Sequence, residues 1–137
     1  MRKIGYAGAI VAVGVLLGLV PGVAVAQGLA RDTMQLTDAP GNWFRSEASG
    51  TPVSTVRMGG RVDFEVGELT NTRHTATLVI KPPGSRLTVD QDASKNGGVA
   101  SAEFDDPGVY VFLCKVHPYM TAVVAVEGRQ EIGRAHV

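Results

Sequence analysis

Nowhere between Gln27 and Gly128 does a stretch of ten or more residues carry a helical period. A chain of this length without helices must bury its apolar side chains between β-strands. The apolar residues come in short runs closed by turn formers. Residues 53–58 and 61–66 are β-branched runs divided by Gly59-Gly60, and in the second Val62, Phe64 and Val66 alternate with Asp63 and Glu65. That alternation gives one apolar and one polar face. A run at His74–Ile80 stops at Pro82-Pro83-Gly84, residues 86–89 make a brief strand, and residues 91–98 read as a polar loop broken at Asn96-Gly97-Gly98. Ala100–Phe104 leads through the turn Asp105-Asp106-Pro107-Gly108 into residues 109–114, and residues 120–127 close the domain. Seven or so short strands at these intervals predict an all-β, two-sheet Greek-key sandwich.

The two ends read differently. Arg2 and Lys3 precede an apolar stretch over residues 4–20, Pro21-Gly22 breaks it, and Ala24-Val25-Ala26 has the small-x-small form of a signal-peptidase site. Residues 1–26 are therefore expected to be a signal peptide, which places the mature protein in the periplasm or outside the cell. An uncleaved anchor is the alternative, since the stretch is near the lower limit of about 17 residues for a membrane span. With the signal removed no stable membrane association is expected. Residues 27–50, with turn formers at Asp38-Ala39-Pro40-Gly41-Asn42, read as a leader with one irregular strand, which Trp43 and Phe44 pack onto a domain at residues 51–128. Residues 129–137 show no strand or helix period and read as a non-native tail, so His136 carries no weight and the natural chain is open to being longer.

Residues 27–128 hold 9 Lys and Arg against 12 Asp and Glu, with no basic patch, so nucleic acid is not an expected partner. The chain has 1 cysteine. In an exported protein that leaves a free thiol, an intermolecular bridge or a metal ligand. Cys114 stands in the spacing Cys-x2-His-x2-Met with His117 and Met120, and His74 lies upstream at the start of a strand. A thiolate, two imidazoles and a thioether are the donors of a mononuclear blue-copper site, with Met as the distant axial ligand. One tight loop carries three of them, and His74 can supply the fourth. Strand parity agrees. Tyr110, Phe112 and Cys114 share one face of their strand, while His74, Ala76, Leu78 and Ile80 form an inward row on theirs. A thiolate beside two aromatic rings, with few hydrogen bonds to its sulfur, is shielded from water. Buried His74 needs a partner, which copper would supply. The expected metal ligands are thus His74, Cys114, His117 and Met120, holding one copper ion that cycles between Cu(I) and Cu(II).

The run Asp106-Pro107-Gly108-Val109-Tyr110-Val111-Phe112-Leu113-Cys114-Lys115-Val116-His117-Pro118-Tyr119-Met120 closely resembles the C-terminal signature of the cupredoxins. Its short Cys-x2-His-Pro-x-Met loop looks most like that of amicyanin, with plastocyanin and pseudoazurin as longer-loop relatives. The resemblance covers roughly residues 53–127. It implies an eight-stranded β-sandwich, a type 1 copper site and single-electron transfer between redox proteins, and it assigns the same four ligands. Cupredoxins commonly carry Asn directly after the upstream histidine, where it ties the two ligand loops together. Here Thr75 stands in that place, with fewer hydrogen bonds to offer.

Four protein ligands leave no open position for substrate, so an electron carrier rather than an enzyme is expected. Transient redox partners would dock near His117 on a patch of Val116, Pro118 and Tyr119, joined by Pro82 and Pro83. The alternatives are a cupredoxin module of a larger, truncated copper oxidase or reductase, a copper-delivery protein, and a metal-free structural sandwich in which Cys114 is only core.

Overall fold

A computed structural model of the chain describes residues 28–39, 41–67, 70–93 and 100–129. The expected signal peptide at residues 1–26, and residues 130–137 of the expected tail, lie outside the described residues. Eight strands follow in order: β1 (Leu29–Thr37), β2 (Trp43–Ser46), β3 (Val53–Val66), β4 (His74–Ile80), β5 (Asp90–Ala93), β6 (Ala100–Phe104), β7 (Gly108–Leu113) and β8 (Thr121–Glu127). Among the described residues there is no helix.

The all-β sandwich expectation holds, and β3 is its corner. Hydrogen bonding runs β2-β1-β3-β8-β7-β4-β5, with β6 also paired to β3. The first half of β3 (Val53 to Arg57) pairs in parallel with β8, and the second half (Gly60 to Phe64) pairs antiparallel with β6. One strand thus belongs to both layers. Gly59-Gly60, read above as a break between two strands, is the bend within one. Two residues of β1, from Leu29 to Arg31, advance against five of β3, from Val56 to Arg61. Gly59 takes φ +78°, and a Cβ on Gly60 would sit 2.7 Å from the Arg57 carbonyl oxygen. Only glycine fits such a bulge.

The layers meet through aromatic rings. Phe64 of β3 lies 4.7 Å from Phe112 of β7, and Phe104 of β6 lies 4.9 Å from Tyr110 and 6.3 Å from Phe112, both edge-on. All four rings are fully buried. Edge-to-face and tilted pairs at these separations add to the area term of burial.

Several local expectations are corrected. Residues 28–50 hold more than the one irregular strand expected of them. They supply both β1 and β2, and Met34, Leu36 and Phe44 are part of the same core. The strand expected at residues 86–89 lies instead at Asp90–Ala93, three of whose four residues fall in the segment read as a loop, and it pairs antiparallel with β4. Residues 94–98 of that loop lie outside the described residues. The inward row on β4 also ends early. A register shift between Leu78 and Ile80 against β7 turns Ile80 outward, leaving it 57% exposed. Pro82 packs on Gly108, where a Cβ would lie 2.5 Å from the proline ring. That contact puts Pro82 at the start of β7, about 20 Å of strand away from Cys114, so it cannot join a patch around His117.

Asp63 is a buried carboxylate facing away from the core. It accepts from Arg31 Nε at 2.7 Å, Arg61 Nε at 2.6 Å and Ser101 Oγ at 2.6 Å, which links β1, β3 and β6. Desolvation pushes its pKa up, but the Ser101 hydrogen bond and the two guanidiniums outweigh it and hold the group below the ordinary carboxylate range. A lowered folded pKa means that the stabilisation is complete above the unfolded value of about 3.9 and is lost as pH falls through the folded pKa. Metal-free protein should therefore lose stability as the pH drops below about 4. Asp63→Asn should be less stable than the parent at neutral pH and show a shallower acid-side decline. Denaturant titrations at both pH values check this.

Candidate metal centre

Two chain segments build the site. His74 opens β4, where it pairs with Ala93 of β5, and is fully buried. Cys114 is the first residue past β7, on the face already occupied by Tyr110 and Phe112, and it too is fully buried. The loop from Cys114 to Met120 is closed by its own backbone. Cys114 N–H donates to the Met120 carbonyl at 3.1 Å, and Met120 N–H donates to the His117 carbonyl at 2.8 Å. These bonds turn His117 back over the thiol.

The result is a cluster of donors. His74 Nδ1 lies 3.9 Å and His117 Nδ1 lies 3.7 Å from Cys114 Sγ, and the two imidazoles are 4.9 Å apart between centroids. All three ligating atoms fall within 4.8 Å of one another. Metal–sulfur and metal–nitrogen bonds of about 2.3 and 2.0 Å at trigonal angles put sulfur and nitrogen about 3.7 Å apart, so the spacing already present fits one metal ion. Two imidazoles and one thiolate match copper in softness and number. Three expected ligands are therefore brought together. Met120, the fourth, is buried at the end of the same loop, with 1% exposure.

The surroundings differ from expectation at three points. First, the sulfur is not poor in hydrogen bonds, for it accepts from the backbone N–H of Thr75 at 3.3 Å and of His117 at 3.4 Å. Second, Thr75 does tie the two ligand segments. Its Oγ1 accepts from Lys115 N–H at 2.8 Å and contacts Thr77 Oγ1 at 3.1 Å. Thr77 in turn donates to Asp90 at 3.0 Å, and Asp90 pairs with Lys115 Nζ at 2.6 Å. The circuit returns to the residue after Cys114. Lys115 first and Thr77 second hold the Asp90 carboxyl below its usual range.

Third, His74 has a protein partner. Its Nε2 is 2.7 Å from Asp38 Oδ1 and 3.1 Å from Thr72 Oγ1, which leaves Nδ1 facing the sulfur. Desolvation raises the Asp38 pKa, but hydrogen bonds from Thr72, Asn71 and His74 overcome it and keep the carboxyl well below the carboxylate range. In the sequence Asp38 is one member of a turn-forming run. It sits 36 residues from His74, and no local signal links the two.

His117 is half-buried, while Lys115, Val116, Pro118 and Tyr119 around it are exposed. The Tyr119 ring is 6.0 Å from that of His117, and its hydroxyl accepts from Asn42 Nδ2 at 2.8 Å.

No protein-family model matches the chain, and no curated protein does. Solved structures match clearly. An oxidised plastocyanin from the fern Dryopteris crassirhizoma is 23% identical with a TM-score of 0.54, over 69% of this chain and 99% of its own. A reduced amicyanin variant is 23% identical with a TM-score of 0.54, over 76% of this chain and 87% of its own. A copper-containing nitrite reductase from Thermus scotoductus is 25% identical with a TM-score of 0.50 over 69% of this chain, which spans only 21% of that enzyme.

Proposed function

Starting from a chain that has the cupredoxin fold, we propose that it is an exported type 1 copper protein that carries single electrons between redox partners. The observation that carries this reading is the convergence of His74 Nδ1, His117 Nδ1 and Cys114 Sγ within 4.8 Å in a β-sandwich. Met120, buried at the end of the same loop, would complete the donor set with its thioether.

Copper, when bound, supplies a one-electron couple that soft sulfur and imidazole serve in both oxidation states. The protein's part is to keep those donors still. Thr75 and the circuit through Thr77, Asp90 and Lys115 clamp the thiolate side, and Asp38 holds the His74 side. Cys114 is itself fully buried, which keeps water from the sulfur. With the ligands held, electron exchange involves little rearrangement. His117 lies on the exposed loop, and Val116, Pro118 and Tyr119 offer a small apolar surface. Transient redox partners bury little area, often below about 1,200 Å² in total. The export segment at residues 1–26 would place this traffic in the periplasm or outside the cell. The likeness to part of a nitrite reductase supports a second reading, in which the domain is a module of a larger copper enzyme. The contiguous coding sequence beyond Gly128 distinguishes the two.

Two substitutions test the ligand roles. Met120→Leu removes only the weak axial donor, so the coloured site should survive with a higher reduction potential. His74→Ala removes an equatorial donor and should weaken copper binding by more than about 100-fold, beyond what outer partners cost. Copper titration and voltammetry measure both. Equal losses from the two would reassign the ligands.

A further inference from the structure

We infer that Asp38 is a positioning residue for the metal centre, setting which nitrogen of His74 carries the proton and so which one is free to bind copper. The inference rests on the copper reading of the site, but its first readout does not.

Both oxygens of Asp38 are engaged. Oδ2 accepts the backbone N–H of Asn71 at 2.8 Å and of Thr72 at 2.9 Å, while Oδ1 accepts Thr72 Oγ1–H at 2.6 Å and faces His74 Nε2 at 2.7 Å. The segment holding those donors is itself docked on β1, for Thr70 Oγ1 donates to the Leu36 carbonyl at 3.0 Å. The carboxylate therefore cannot swing away from the ring.

An ionised carboxylate only accepts. The contact at 2.7 Å requires the ring proton to be on Nε2, and the lone pair is left on Nδ1, which points at Cys114 Sγ from 3.9 Å. Among the described residues the other partner of His74 Nε2 is Thr72 Oγ1 at 3.1 Å, and with its own proton given to Asp38 it can only accept there, so it follows the orientation that Asp38 sets.

Asp38→Asn keeps the shape and reverses the logic. An amide oxygen turned to the two backbone N–H groups keeps both of those bonds, and the amide NH2 then faces His74 Nε2. That arrangement favours a bare Nε2 with the proton on Nδ1, where the metal should bind. The opposite amide orientation would set NH2 against two backbone N–H donors and forfeit both bonds.

The test is a long-range 1H–15N correlation spectrum of uniformly labelled, metal-free protein at mildly alkaline pH, where each imidazole shows its tautomer directly. The parent should carry the His74 proton on Nε2. In Asp38→Asn a substantial fraction should move to Nδ1, with copper affinity falling about 10–100-fold. Asp92→Asn, which removes an exposed partner of Arg73, should change neither. A proton on Nδ1 in the parent overturns the inference, as does an unchanged tautomer in folded Asp38→Asn, whatever its affinity. Should Asp38→Asn fail to fold, the parent tautomer decides alone. A parent that shows the Nε2 proton but takes up no copper would sink the copper reading and leave the tautomer assignment standing.

Discussion

Cys114→Ser protein mixed with Cu(II) should stay colourless under conditions in which the parent turns blue. The parent's colour arises from charge transfer between a thiolate and Cu(II), and a serine hydroxyl is a harder donor that stays protonated near neutral pH. The substitution is nearly isosteric in a fully buried position, so the sandwich should still form. The loss ought to be complete rather than partial, because the described residues contain no second cysteine or other cluster of metal-ligating side chains. The Thr75 and His117 N–H groups that now point at sulfur would face a poorer charge acceptor. Absorption spectra of parent and variant at equal copper occupancy check the outcome.

The largest stability effect should come from Phe112→Ala. Phe112 is fully buried and meets Phe64 and Phe104 across the interface between the layers. Truncating a core phenylalanine removes its transfer free energy and leaves a cavity, at a cost of about 3–5 kcal/mol. Against a typical total of about 5–15 kcal/mol, that is at least about a fifth of what holds such a domain together. For a domain of roughly 100 residues it corresponds to a fall in Tm of roughly 15–30 °C. Val109→Ser, on the same strand but 55% exposed, should change stability by less than about 0.5 kcal/mol. Thermal unfolding of the metal-free proteins separates the two. The contrast reports strand parity directly, since Val109 and Phe112 point to opposite faces.

That parity is where the sequence was most legible. On β7, Tyr110 and Phe112 point inward, with Cys114 just beyond them, and β4 runs from His74 to Ile80 as the apolar run indicated. Three of the four expected ligands converge because one loop spacing and one strand start encode them. The missed elements share a physical cause. On β1 the inward row is Asp32, Met34 and Leu36, so a carboxylate stands where alternation predicts an apolar residue. It is satisfied there by Ser46 Oγ at 2.5 Å and Ser54 Oγ at 2.6 Å. Neither serine is near it in sequence, and the pattern looks irregular until they are brought together. On β5 three of the four residues are polar and exposed, and the strand exists because β4 offers an edge to pair with. The Asp38–His74 contact and the Thr75–Thr77–Asp90–Lys115 circuit belong to the same class. They are tertiary facts between segments whose local sequences announce only turns.

Cys114 is expected to hold copper through its thiolate, in a site that exchanges one electron. Stepwise addition of Cu(II) to the purified protein, followed by visible absorption, tests it most directly. An intense blue band that saturates at one copper per chain, bleaches on one-electron reduction and returns on reoxidation is the predicted result. A protein that binds its copper with only weak absorption, or that takes up none, would contradict it.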